Sequence, residues 1–157
     1  MNVFVSVGTH PQPFDRLLKE LDRIAEKGKH KFFAQVGNSG YEPKNFSFKR
    51  LLDEGEYQSR ISKADVLVSH GGAGTIINAL RQGKTVVVVP RLKRFGEHTN
   101  DHQLDLAEAL SAEGKVISVG EMPGLEQALN RAWSFKPRLA SDRQKLVKRL
   151  RQFIDSA

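Results

Sequence analysis

The 157-residue chain contains no cysteine. That excludes disulfides and thiolate chemistry and suits a reducing compartment. Long apolar runs are also missing. The longest, Val86 to Pro90, falls far short of the about 20 residues that a membrane-crossing helix needs. The start, Met1-Asn2-Val3-Phe4-Val5-Ser6-Val7-Gly8, lacks the basic region and long apolar stretch of a secretory signal and reads as a strand. Aromatics are scarce, with nine Phe, two Tyr and one Trp. No nucleic-acid motif accompanies them, so no nucleic acid is expected as a partner.

What remains is the composition of one globular domain spanning 1–157. Hydrophobic residues make up 39% and charged residues 27%, enough to build a core. The net charge of +7 is unevenly placed. Lys136, Arg138, Arg143, Lys145, Lys148, Arg149 and Arg151 face only Asp142 and Asp155, so the end of the chain carries a net +5 and the body is nearly neutral. Leu139, Leu146, Val147, Leu150, Phe153 and Ile154 recur there at mostly helical spacing. The segment 137–157 therefore reads as a basic amphipathic helix, and Ser134–Pro137 as a hinge before it.

Continuous apolar runs at 3–7, 31–36, 66–69, 85–89 and 116–119 read as strands buried on both faces, with a short strand at 45–48. Helical spacing at 14–27, in the second half of 51–64, and at 75–82, 102–110 and 124–133 places helices between them. Residues 91–100 read as a polar loop. Strand and helix alternate throughout. The fold class expected is α/β, a Rossmann-like, mostly parallel sheet with helices on both faces.

Ligands of open α/β sheets sit beyond the carboxyl ends of the strands. Three segments occupy such ends. Ser69-His70-Gly71-Gly72-Ala73-Gly74-Thr75 joins a strand to a helix start, where glycines and free amides suit a phosphate. An ordinary glycine-rich turn would use the same residues, and the spacing is neither the dinucleotide fingerprint nor a Walker loop. Gly96-Glu97-His98-Thr99-Asn100-Asp101-His102-Gln103 is dense in groups that bond hydroxyls. His98 and His102 have the spacing of a zinc pair, but Thr99 stands where a metalloprotease needs Glu, so no metal is expected. Asn100 or Asp101 could equally be a helix cap. Gly8-Thr9-His10 closes the first strand and could line the same cleft, or be a plain loop. Arg91, Lys93 and Arg94 offer cations that could hold a carboxylate, or form merely a solvated basic loop.

Taken together, and with Gln12-Pro13-Phe14-Asp15-Arg16-Leu17 after the first segment, these motifs resemble the C-terminal, donor-binding domain of glycosyltransferase family 28. Within it they are similar to the stand-alone subunits of split two-component transferases, of the bacterial exopolysaccharide glucuronosyltransferase and dolichol-pathway N-acetylglucosaminyltransferase types. The resemblance covers about residues 2–135. It implies the C-terminal half of a GT-B architecture and a UDP-sugar as donor substrate, with no cofactor. The Gly71–Thr75 loop would hold the diphosphate, with His70 beside it. Asn78 stands where many relatives carry a ribose-binding Glu. Asp101, His102 and Gln103 would touch the donor sugar, and the uracil would lie near Phe48 to Glu56.

The reaction implied is inverting transfer of a sugar, such as glucuronic acid or N-acetylglucosamine, to a lipid-linked glycan acceptor. No catalytic base is assigned within the chain. A membrane-associated, acceptor-binding partner would supply it and recruit the chain to the cytoplasmic face of a membrane. A nucleotide-sugar-binding regulatory module without transferase activity stays open as the alternative.

Overall fold

The computed structural model describes residues 1–138 together with Lys148, Arg151 and Gln152. The C-terminal basic helix expected over 137–157 lies almost wholly outside the described residues.

Six strands form one parallel sheet: β1 (Asn2–Ser6), β2 (Lys31–Gln35), β3 (Ser47–Lys49), β4 (Val66–Ser69), β5 (Thr85–Val88) and β6 (Ile117–Ser118). Their order across the sheet is β3-β2-β1-β4-β5-β6, and every pairing is parallel. Between them run α1 (Asp15–Ala25), α2 (Glu54–Lys63), α3 (Ala73–Arg81), α4 (His102–Ala112) and α5 (Leu125–Ala132). The α/β class expected from the sequence is the one observed.

Both faces of the sheet are covered, which is why its strands are apolar without alternation. Val3, Val5, Val66, Val68 and Val87 point to one side, where they pack with Leu17, Leu18 and Leu21 of α1 and Leu125 and Leu129 of α5. Phe4, Leu67, Val86 and Val88 point to the other, against Ile61 of α2, Ile76 and Leu80 of α3, and Leu106 and Leu110 of α4.

The chain leaves β1 in one direction to make β2 and β3, then returns to place β4 on the other side of β1. The carboxyl ends of β1 and β4 therefore diverge into loops that run opposite ways. This switch point opens a crevice in an open parallel sheet.

Two sequence expectations change. Residues 91–100 are not simply a polar loop: Arg91, Leu92 and Glu97 are buried, and Lys93–Phe95 forms a 3-10 turn. Ser134–Pro137 is not a free hinge either. The carbonyl of Phe135 accepts from the Thr85 hydroxyl at 3.3 Å, its side chain packs on the core, and Arg138 N–H donates to the Gly114 carbonyl at 2.9 Å.

Candidate functional site

A cleft of about 720 Å³ lies at the switch point. Its lining combines Ser6 at the end of β1, Gly8, Thr9 and His10 after it, Gln35 at the end of β2, and His70, Gly72, Gly74, Thr75 and Asn78 around the start of α3. Gln103 of α4 and Leu52, Glu54, Tyr57 and Gln58 around α2 complete it. The β1, β4 and α4 motifs, spread over residues 8–103 of the chain, thus meet in one place.

The glycine loop works as its residue types suggest. Gly71 has a φ of +98°, a left-handed conformation in which a side chain is strained. Gly72 caps α3 with no side-chain bond to its amides. The first intrahelical bond is Ile76 N–H to Gly72 carbonyl, at 3.1 Å. The amides of residues 73–75 precede it, so they have no partner within the helix and add to the positive end of its dipole.

His70 sits between two glycines. A Cβ on Gly8 would lie 2.5 Å from its Nε2, and one on Gly72 would lie 2.7 Å from its Cε1. These glycines therefore make room for an imidazole, whereas the sequence suggested only close approach of a ligand. His70 is 8% exposed. Burial pushes its pKa down to about 4, the Arg91 charge and the rings of His98 and His10 push the same way, and a hydrogen bond with Gln103 opposes them. It is neutral at physiological pH.

Arg91 is not a sugar-facing cation. It is 1% exposed, and its guanidinium donates to the carbonyls of Val7 at 2.6 Å, Gln12 at 2.8 Å and Glu97 at 3.1 Å. Burial brings its pKa down to about 10, opposed by Glu97, so it stays charged. Glu97 is likewise internal. Its carboxylate accepts from Arg16 Nη2 at 2.9 Å and Nε at 3.0 Å, and from the Leu92 amide at 3.1 Å. The two residues join the loop after β1 to the loop after β5, because one planar guanidinium can serve several carbonyls at once. Of the three cations in that stretch, only Lys93 and Arg94 are exposed.

Other expected contacts are placed differently. Asn100, one residue before the N-cap Asp101 of α4, accepts from the first helical amide, His102 N–H, at 3.0 Å through Oδ1. Asp101 accepts from the Lys93 amide at 2.9 Å. Neither lines the cleft, and nor do Gly71, Ala73, Arg91, Glu97, His98 and His102. Gln103 does, with its Oε1 held by the Arg91 amide at 3.2 Å. Asn78 is present, but its Oδ1 accepts from Gln82 at 3.0 Å. Of the stretch expected near uracil, Leu52 and Glu54 face the cleft.

Ser6, Gln35, Tyr57 and Gln58 escaped the sequence reading. The Tyr57 hydroxyl bridges the Ser6 hydroxyl at 2.9 Å and the Thr75 hydroxyl at 3.0 Å, linking α2, β1 and α3. Gln35 Oε1 accepts from the Leu52 amide at 2.9 Å. The signal for Ser6 and Gln35 was available: each is a polar residue at the carboxyl end of an apolar strand. Tyr57 and Gln58 carried none, since a partly polar helix gives no hint of which face meets a cleft.

Known proteins share this architecture. A crystal structure of the glycosyltransferase of kitacinnamycin superposes with a TM-score of 0.64 at 22% identity, over 98% of this chain and 39% of that one. An NMR solution structure of ALG13 gives 0.63 at 18% identity, over 95% of this chain and 94% of that one. The human UDP-N-acetylglucosamine transferase subunit ALG13 is 37% identical over 126 residues, which is 73% of this chain and 11% of that protein. The chain thus spans about a tenth of that relative's length. Residues 2–156 match the glycosyltransferase family 28 C-terminal domain, and the chain belongs to that family.

Proposed function

We propose that this chain is the donor-binding subunit of a two-component inverting glycosyltransferase, taking a UDP-sugar and passing the sugar to a lipid-linked glycan acceptor held by a partner. The observation that carries the reading is the row of amides at the start of α3, unpartnered among the described residues, opening on a cleft at the β1/β4 switch point. The name of the human relative, a UDP-N-acetylglucosamine transferase subunit, supports the donor class and a multi-subunit enzyme.

The chemistry follows from these groups. As the bond from sugar to phosphate breaks, negative charge builds on the leaving UDP. Fixed amides at 73–75 stabilise that charge without reorganising. An acceptor hydroxyl must also lose a proton to a base. The titratable groups lining the cleft are His10, Glu54, Tyr57 and His70. Tyr57 bridges two hydroxyls, Glu54 accepts from Gln58 at 2.8 Å, the acceptor nitrogen Nδ1 of His10 is taken up by the Gln12 amide at 3.2 Å, and His70 is buried. We therefore assign the base to the partner. The partner would also bring the chain to the cytoplasmic face of a membrane, and the basic sequence 137–157 is the segment we assign to that association.

Calorimetric titration with UDP, UDP-N-acetylglucosamine, UDP-glucuronate, ADP and GDP tests the donor reading. Uridine nucleotides should bind and ADP and GDP should bind far more weakly. Equal affinity for all three diphosphates would overturn it.

A further inference from the structure

The imidazoles of His10 and His98 stack, with centroids 4.6 Å apart and planes inclined by 29°. They come from different loops, one after β1 and one after β5, and His10 lines the cleft. Both are anchored the same way. Nδ1 of His10 accepts the Gln12 amide at 3.2 Å, and Nδ1 of His98 accepts the Asn100 amide at 3.3 Å.

A ring nitrogen that accepts an N–H carries no proton of its own, so in the neutral ring the proton sits on Nε2. Each histidine is thereby fixed as a donor, with its acceptor nitrogen already occupied. Among the described residues no group accepts from either Nε2. The surroundings favour the neutral form of both rings. Burial lowers the pKa of each and the Arg91 cation adds to it; His98 lowers His10, and His102 lowers His98 while Asp101 opposes. Two neutral rings stack without repulsion.

We propose that His10 and His98 form a paired N–H donor subsite at the rim of the cleft, which takes an oxyanion of the bound nucleotide sugar. The proposal rests on the reading of the cleft as a UDP-sugar site. Two donors with no free acceptor suit a group that only accepts. The positive field of buried Arg91, felt at both rings, favours a charged acceptor over a neutral hydroxyl. A phosphoryl oxygen and the carboxylate of an acidic sugar share that chemistry.

The test is titration of the full chain with UMP, UDP, UDP-glucose and UDP-glucuronate. His10→Phe and His98→Phe keep a ring for stacking and remove the donor. His10→Gln and His98→Gln keep an N–H donor. Thermal unfolding of each variant separates lost binding from lost fold, and His98→Phe, on a half-buried ring, tests the pair independently of the cleft lining. Each Phe variant should weaken the anionic ligand about tenfold or more, the range of one hydrogen bond to a charged group, and each Gln variant should restore most of it. A loss that begins with UDP and spares UMP assigns the second phosphoryl group. A loss confined to UDP-glucuronate assigns the carboxylate. A loss that UMP shares equally assigns the first phosphoryl group. If UDP binds and folded Phe variants match the wild type on all four ligands, the pair is not an oxyanion subsite, although the cleft reading stands. If the wild-type chain binds none of the four, both readings fall.

Discussion

The guanidinium of Arg91 donates to the carbonyl of Val7 across 2.6 Å, joining residues 84 positions apart in the chain. The same side chain reaches the carbonyls of Gln12, Pro13 and Glu97, and it lies 5.0 Å from the centroid of the Phe14 ring. One buried cation thus holds together the two loops that carry His10 and His98. A polar group bound at that end of the cleft meets a preset geometry instead of two independent loops.

Arg91→Lys should therefore behave as a severe change. An ammonium keeps the charge but cannot span carbonyls on both loops. Stability should fall by about 3 kcal/mol, the scale of breaking a buried charged network, and UDP affinity should fall with it. Urea unfolding and calorimetry measure the two. A variant with wild-type midpoint and affinity would show that the loops hold their shape without the guanidinium.

Gly72→Ala should perturb His70 before it perturbs any ligand. The new Cβ would stand 2.7–2.8 Å from Cε1 and Nε2 of a buried ring that has little room to move. The expected cost is about 1–3 kcal/mol, as for overpacking elsewhere. A double-mutant cycle with His70→Ala decides the cause. If the clash is with His70, Gly72→Ala should cost much less in the His70→Ala background. An unchanged cost would mean that the glycine serves the backbone or the ligand.

Asp22→Asn should loosen the segment before β3. The Asp22 carboxylate is buried on α1 and accepts from the Tyr41 hydroxyl at 2.6 Å and from the amides of Lys44 and Asn45 at 3.0 and 2.8 Å. Burial raises its pKa, but these donors outweigh it and leave the pKa below the usual carboxylate range. An Asn can satisfy only part of that set, because one of its two polar atoms is a donor. A loss of about 1–3 kcal/mol is expected, together with faster hydrogen exchange at residues 44–49. Wild-type exchange there would remove Asp22 as the anchor.

The fold was legible because its strands are nearly pure apolar runs. Val66–Ser69 matches its observed bounds, and Thr85–Val89 differs from its strand by one residue. The glycine loop was legible too, since Gly71 and Gly72 follow a buried strand. The polar interior was not. Nothing local marks Arg91 or Glu97 as buried, because their partners Val7, Gln12 and Arg16 lie about 80 residues away. A loop composed of Arg, Lys, Glu and His looks solvated until the sheet order brings β1 and β5 to either side of β4. Tyr57 was hidden for a similar reason, because its hydroxyl is defined by Ser6 and Thr75 and not by its own helix.

His70 makes the stability of the protein depend on pH in a definite direction. Its pKa is about 4 in the folded chain and near 6.5 when unfolded. Below 6.5 the unfolded chain binds a proton that the folded chain refuses, so stability falls as pH falls from about 6.5 to about 4 and is independent of this group above that window. The separation corresponds to a loss on the order of 3 kcal/mol. His10, His30 and His98 also have lowered pKa values, so each adds to the loss with the same sign. Urea unfolding at pH 7.5, 6, 5 and 4.5 should show a midpoint that declines on acidification. His70→Asn removes the group that titrates and should flatten the decline, leaving only the share of the other three histidines. A variant whose midpoint declines as steeply as that of the wild type would show that His70 is not the group whose protonation the folded state resists.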